Sequence, residues 1–268
     1  MKGRVLICAG SDSGGGAGIQ ADIKAVTALG GFAMTAITAL TAQNTLGVQG
    51  VMGVAPEFIR QQMRSVLEDL GADAIKTGML HDVATIEAVC DEIAASAPGL
   101  PVVADPVMVA TSGSRLLADD AMETLRARLL PIAIVITPNI PEAEALTGLS
   151  ITNEGDMRAA AEALLAQGAR AVLLKGGHLA GEALVDLLVT REATHRYEDR
   201  RIETRHTHGT GCTLASAVAA GLAQGLALEP AVRRARAYVR AAILAAPGYG
   251  AGHGPLDHGV TVDTRRFD

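Results

Sequence analysis

Residues 101–106 read PVVADP, and the fold turns on how that stretch is taken. A brief apolar run between two prolines, closed by an acid, is too short for a helix. It has the length of a strand buried on both faces. The same pattern recurs in DAIKTG (73–78), AIVITP (133–138) and AVLLKG (171–176), each ending in Gly or Pro before a helix-like segment. RVLICA (4–9) opens the series and leads through a glycine loop into GIQADIKAVTAL (18–29), which has helical spacing. FAMTAITAL (32–40) is rich in β-formers, and PEFIRQQMRSVLEDL (56–70) is an amphipathic helix with Pro56 in its first turn. Repeated βα units imply a parallel sheet covered by helices on both faces.

After residue 180 the pattern changes. ALVDLLVT (183–190), ATHRYE (193–198) and RRIETR (200–205) read as three consecutive strands, a meander at the sheet edge. HTHGTG then enters two helical stretches, 213–224 and 230–245, and the chain closes in a glycine-rich tail from about residue 247. No internal repeat, low-complexity linker or domain break interrupts the series. The expectation is one domain over 1–268: a three-layer α/β/α fold with a mostly parallel central sheet.

Apolar residues are 49% of the 268 and charged residues 19%, which excludes a disordered chain. There is no Trp, so Ala, Val, Leu and Ile must build the core. A net charge of −6 leaves no basic patch of the size that nucleic acid needs. The one Arg cluster, Arg233, Arg234, Arg236 and Arg240, lies on a predicted helix and reads as a solvated face or an oligomer contact. The first ten residues form a strand and not a signal peptide, and no apolar run spans a membrane. Cys8, Cys90 and Cys212 are odd in number and far apart, which argues against a disulfide framework and fits a reducing cytoplasm.

Two glycine loops can hold a ligand. The first, AGSDSGGGAGIQAD (9–22), follows a strand and opens a helix, so backbone N–H groups and a helix N-terminus are available to negative charge. It contains a G-x-G-x-x-A match at Gly16–Ala21. Yet no Asp, Glu or Arg occurs between Ile23 and Pro56 to hold a ribose or its 2′-phosphate, so the dinucleotide reading fails. No glycine loop ends in Gly-Lys-Ser/Thr, which excludes a P-loop.

The second loop is Gly209-Thr210-Gly211-Cys212, at the start of an alanine-rich helix. Unpaired N–H groups there suit the charge on a transferred phosphoryl group, and the same helix start is expected to lower the Cys212 pKa. A metal site from His206, His208 and Cys212 lacks a fourth ligand and a familiar zinc spacing. Polar residues at strand ends complete the set: Asp105 after PVVA, Asn139 and Glu142 after AIVIT, and Lys175 closing AVLLK. Carboxylates with an amide suit Mg²⁺, and a lysine suits phosphate.

Taken together, AGSDSGGGAGIQAD, TAITALTAQNTLGVQGV (35–51), KTGML (76–80), TPNIPEAE (137–144), LLKGGH (173–178) and HGTGCTLASA (208–217) resemble the hydroxymethylpyrimidine/phosphomethylpyrimidine kinases of the ribokinase-like superfamily, enzymes of thiamine biosynthesis. The resemblance runs to about residue 250. It implies an ATP- and Mg²⁺-dependent phosphotransferase that phosphorylates 4-amino-5-hydroxymethyl-2-methylpyrimidine and then its monophosphate, as a cytoplasmic homodimer.

By that resemblance Gln43 meets the aminopyrimidine edge. Gly10, Asp22, Met79 and Val107 lie in or near the pyrimidine pocket. Asp105, Asn139 and Glu142 match the Mg·ATP phosphate region, and Lys175 the lysine near the ATP phosphates. Thr210 and Gly211, after Gly209, match the anion hole. Cys212 matches the catalytic position, where many related sugar kinases carry aspartate. One departure stands out: where the family commonly has Lys-Ser-Gly-Asp in a flap, this chain has Thr111-Ser112-Gly113-Ser114. Two alternatives remain at this point: a pyridoxal kinase of the same superfamily, and a non-catalytic pyrimidine- or nucleotide-binding regulator.

Overall fold

The computed structural model describes residues 2–109, 113, 116–118, 120–263 and 265. In chain order the elements are β1 (Arg4–Ala9), α1 (Gly18–Ala28), β2 (Phe32–Ile37), β3 (Ala39–Asn44), β4 (Gly47–Gly53), α2 (Pro56–Asp69), β5 (Ala74–Thr77) and α3 (Val83–Ser96). They continue with β6 (Val102–Ala104), α4 (Ala121–Thr124), β7 (Val135–Ile136), α5 (Ile140–Thr147), α6 (Glu154–Ala166) and β8 (Ala171–Lys175). The last four are β9 (Ala183–Thr190), β10 (Thr194–Arg200), α7 (Thr210–Ala223) and α8 (Leu228–Leu244).

Eight strands form one sheet in the order β10-β9-β8-β7-β6-β5-β1-β2. The pairings from β2 across to β8 are parallel, and β9 and β10 add antiparallel strands at one edge. The mostly parallel sheet is therefore as expected, and its burial explains the unbroken apolar runs. In β1, Val5, Ile7 and Ala9 join the core beneath α1, α7 and α8, while Leu6 and Cys8 join the core on the opposite face with residues of α2, α3, α5 and α6. Alanine lets α7 lie close to its neighbours: a Cβ on Gly221 would meet the Ala231 Cβ of α8 at 2.7 Å. A core poor in aromatics is thus filled by bringing backbones together.

Three local expectations change. RRIETR is not a strand, because β10 ends at Arg200. Arg201 instead turns its guanidinium onto the carbonyls of Gly177, Leu179 and Gly181. FAMTAITAL is not one strand either. Thr38 breaks it: its N–H donates to Ala9 O and its hydroxyl to Met79 O, and the chain then leaves the main sheet as a separate β3–β4 hairpin. The Arg cluster on α8 is not a solvated face throughout. Arg236 pairs with Asp186 at 2.8 Å and Asp199 at 3.0 Å and stacks over the Tyr197 ring, and Arg234 donates to Gln224.

Asp186 carries much of this edge, since it also accepts from the Gly176 N–H at 2.9 Å. Asp186→Ala leaves Arg236 with fewer partners in a largely buried place. It should lower stability by about 3 kcal/mol, read as a shift of the urea midpoint at unchanged slope.

Candidate active site

The strands of the parallel sheet end at one edge, and a cleft of about 950 Å³ runs along it. Gly10 and Asp12 of the first glycine loop, Lys76 and Met79, Asp105 and Val107, Asn139 and Glu142, Lys175, and the Gly209–Cys212 helix start all line it. Thr41 and Gln43 of the β3–β4 hairpin cover one end. Twelve of the thirteen site residues singled out from the sequence thus share one cavity. The exception is Asp22. It is fully buried behind the wall and held by Lys76, with Oδ1 and Oδ2 at 3.0 and 2.9 Å from Nζ. A place among pocket-lining residues is therefore corrected to one beneath them. In the flap, Thr111, Ser112 and Ser114 lie outside the described residues.

The first glycine loop does not offer its N–H groups to a ligand as expected. Asp12 turns inward and accepts from the N–H groups of Gly14 (2.8 Å), Gly16 (3.0 Å) and Ala17 (2.8 Å). His208 Nε2 lies 2.9 Å from the same carboxylate. These bonds hold the Asp12 pKa below the ordinary carboxylate value against the burial that would raise it. His208 is committed here, and among the described residues no three His, Cys, Asp or Glu side chains stand together as a metal cage.

The two loops also interlock. A Cβ on Gly209 (φ +81°) would lie 1.9 Å from Gly16 O, and one on Gly16 would lie 2.6 Å from the His208 ring. Gly16 and Gly209 therefore serve the fit of one loop against the other. The sequence had no signal for Asp12 as their organiser beyond its being the first acid in the loop.

Gln43 is held by two hydrogen bonds and lies against His208. Its N–H donates to Ser13 Oγ at 2.8 Å, Thr41 Oγ1 lies 3.2 Å from its Oε1, and its side-chain amide lies 3.3 Å from His208 Nε2. Gly10 makes room for Met79, whose Sδ would lie 2.9 Å from a Cβ there.

At the other end, Asn139 and Glu142 form a capping box at the start of α5. Glu142 N–H donates to Asn139 Oδ1 at 2.9 Å, and Asn139 N–H to Glu142 Oε2 at 2.8 Å. Lys175 Nζ lies 3.4 Å from Asp105 and 4.0 Å from Glu142. Burial pushes Glu142 up to about 7, with Asp105 adding to the effect and Lys175 opposing it. A Cβ on Gly211 would lie 3.2 Å from Lys175 Nζ and 3.8 Å from Asp105, so the glycine keeps open a gap flanked by a cation and a carboxylate.

The Cys212 thiol departs from expectation. Burial pushes it up to about 12; Lys76 pulls it down, Asp22 and Asp105 push it further up, and a hydrogen bond from the Gly18 N–H lowers it. Desolvation outweighs the helix start, so this group is a neutral thiol.

Two buried carboxylates, Asp105 and Glu142, beside a single lysine form a donor set that fits Mg²⁺ sharing its shell with phosphates and water. Because the folded state raises the Glu142 pKa above its unfolded value, it holds a proton that the unfolded chain gives up. Glu142 therefore costs stability as pH rises from the ordinary carboxylate range through about 7. Glu142→Gln keeps the cap and removes the charge. Its stability relative to wild type should improve by about 2 kcal/mol between pH 5 and pH 8, measured by urea unfolding without divalent cations.

The phosphomethylpyrimidine kinase family model matches residues 12–257. The hydroxymethylpyrimidine/phosphomethylpyrimidine kinase of Streptomyces coelicolor is 52% identical over 255 residues, covering 95% of this chain and 94% of that protein. Among solved structures, the Bacillus subtilis pyridoxal kinase in its ADP complex superposes with a TM-score of 0.89 at 37% identity, over 97% of this chain and 98% of its own. The phosphomethylpyrimidine kinase of Clostridium difficile 630 superposes with a TM-score of 0.79 at 42% identity, over 89% of this chain and 98% of its own.

Proposed function

The chain belongs to the phosphomethylpyrimidine kinase family, and we propose from that membership how its cleft works. It is a phosphotransferase of thiamine biosynthesis. It moves the ATP γ-phosphoryl group to the hydroxymethyl of 4-amino-5-hydroxymethyl-2-methylpyrimidine and then phosphorylates the monophosphate to the diphosphate. The observation that carries this reading is the 52% identity to such a kinase across nearly the whole of both chains.

In this reading the cleft has two ends. Gln43, with Gly10, Met79 and Val107, receives the pyrimidine. Lys175, Asn139 and the Thr210–Gly211 helix start receive the ATP phosphates, with Asp105 and Glu142 able to hold Mg²⁺, which when bound neutralises phosphate charge. Phosphoryl transfer asks mainly for alignment and charge neutralisation, and the helix N–H groups and Lys175 supply both. Cys212, once its own proton has been released to solvent, takes the proton that the hydroxymethyl gives up. The same reading makes 1–268 one kinase domain in the cytoplasm. It also makes the protein a homodimer, for which the exposed Leu40, Leu46, Val51 and Met52 of the hairpin offer an apolar face.

The likeness to a pyridoxal kinase favours one second reading, a broader acceptor range that includes pyridoxal. Incubation with ATP and the hydroxymethylpyrimidine should give monophosphate and then diphosphate by mass spectrometry; turnover of pyridoxal alone would replace the first reading by the second.

The two steps differ in what they ask of Cys212. The first acceptor is a neutral hydroxyl; the second is an already anionic phosphate that needs no base. Cys212→Ser should therefore slow the first step by about 100-fold and the second far less, and equal losses would sink the role given to the thiol.

A further inference from the structure

Lys76 is one of four lysines in the chain and the one that is completely buried. It stands at the end of β5, in the stretch KTG. Two of its three ammonium hydrogens are accounted for by Asp22 Oδ1 at 3.0 Å and Oδ2 at 2.9 Å. Asp22 is in turn fixed from α7, where Ser216 Oγ donates to its Oδ1 at 2.7 Å. Ser216 follows Cys212 by four residues, so the two share a face of α7. Among the described residues, Asp22 is the hydrogen-bond partner of Lys76, and the third hydrogen has no acceptor.

A buried ammonium with an unused hydrogen is costly unless something takes it. Lys76 lines the same cleft as Cys212. Gly78 keeps the place open, because a Cβ there would lie 2.8 Å from Lys76 Nζ. The titratable groups around this lysine come from four elements: the carboxylates Asp22 of α1 and Asp105 after β6, and the thiols Cys8 of β1 and Cys212 of α7. Burial works to strip the lysine of its proton, but Asp22, Cys212 and Asp105 outweigh it, and the cation is retained.

We propose that Lys76 is a positioning residue for Cys212: its ammonium, anchored through Asp22 and Ser216, is the fixed positive charge against which the sulfur takes the acceptor's proton. The inference rests on Cys212 being the base of the first step. In that step the hydroxymethyl oxygen bonds to the γ-phosphorus while the bond from that phosphorus to the β-phosphate oxygen breaks. ADP leaves with the electron pair. The Cys212 thiol first releases its own proton to solvent, and the hydroxyl proton then passes to the thiolate, which ends as the thiol it was before. The charge lost from the sulfur is the one that Lys76 and the Gly18 N–H face. Lys76 thereby offsets part of the desolvation that disfavours the thiolate. Asp22 in turn has a task that does not require it to touch substrate.

The test is a mutant cycle on both acceptors with ATP, using Cys212→Ser, the paired change Lys76→Met/Asp22→Asn, and the two combined. Changing Lys76 and Asp22 together avoids leaving a buried carboxylate without its cation. The paired variant should lose about 100-fold in kcat for the hydroxymethylpyrimidine, with its KM within about threefold, and change the second phosphorylation by less than about threefold. In the Cys212→Ser background it should cost nothing further, because its route runs through the sulfur. Ser216→Ala, which loosens the anchor and keeps both charges, should give a smaller loss confined to the first step.

A further loss in the Cys212→Ser background would overturn the proposal, as would equal losses in the two steps or a raised KM at unchanged kcat. Were Cys212→Ser itself harmless while the paired variant is slow, the base assignment would fall, and Lys76 would be acting on the reacting atoms directly.

Discussion

The Asp12 carboxylate is the contact on which the site depends. It collects three backbone N–H groups of its own loop and the ring of His208, which belongs to a loop 196 residues away in sequence. A buried anion with four donors is well satisfied, and its geometry leaves little freedom. It sets the path of the chain into α1 and, through His208, the place where α7 begins. Gly16 and Gly209 then meet with no room for a side chain on either. The start of α7 and the first glycine loop are thereby held together as one piece. The second device is electrostatic. Charges at the cleft floor are paired across elements, Lys76 with Asp22 and Lys175 with Asp105, so that cations remain charged where water is scarce.

Much of the architecture was legible because strands buried on both faces leave unbroken apolar runs, and each run here ends in a residue that breaks it. PVVADP, AIVITP and AVLLKG each mark a strand and also the polar residue at its tip. That is why Asp105, Asn139 and Lys175 could be placed at one edge before any coordinates. The hairpin was not legible. FAMTAITAL keeps its β character straight through Thr38, and the hydrogen bonds that divide it come from Ala9 and Met79, partners that no local pattern reveals. RRIETR failed for the converse reason. It alternates like a strand, but its ladder stops after the Arg201 N–H bond to Glu182 O, and the Arg201 side chain is spent on a loop.

Within the site, residue types were readable and their states were not. A cysteine at a helix start is expected to be acidic, but the helix dipole competes with desolvation and with two carboxylates that the fold brings in from α1 and β6. Asp22 sits inside a motif facing the cleft, yet its partner Lys76 lies 54 residues on, in a strand beside β1. In each case the error has one source: charge pairing across the sheet is invisible to spacing along the chain.

The β3–β4 hairpin has a consequence for how such a kinase can diversify. It carries Gln43 over one end of the cleft but pairs with no strand of the eight-stranded sheet, whereas Asp105, Asn139 and Lys175 stand on or just beyond that sheet. The residues proposed to handle phosphate and the residue proposed to meet the acceptor ring are thus built on separate scaffolds. Drift in the hairpin can therefore retune which ring is admitted while the load-carrying sheet, and the chemistry at its edge, stay as they are.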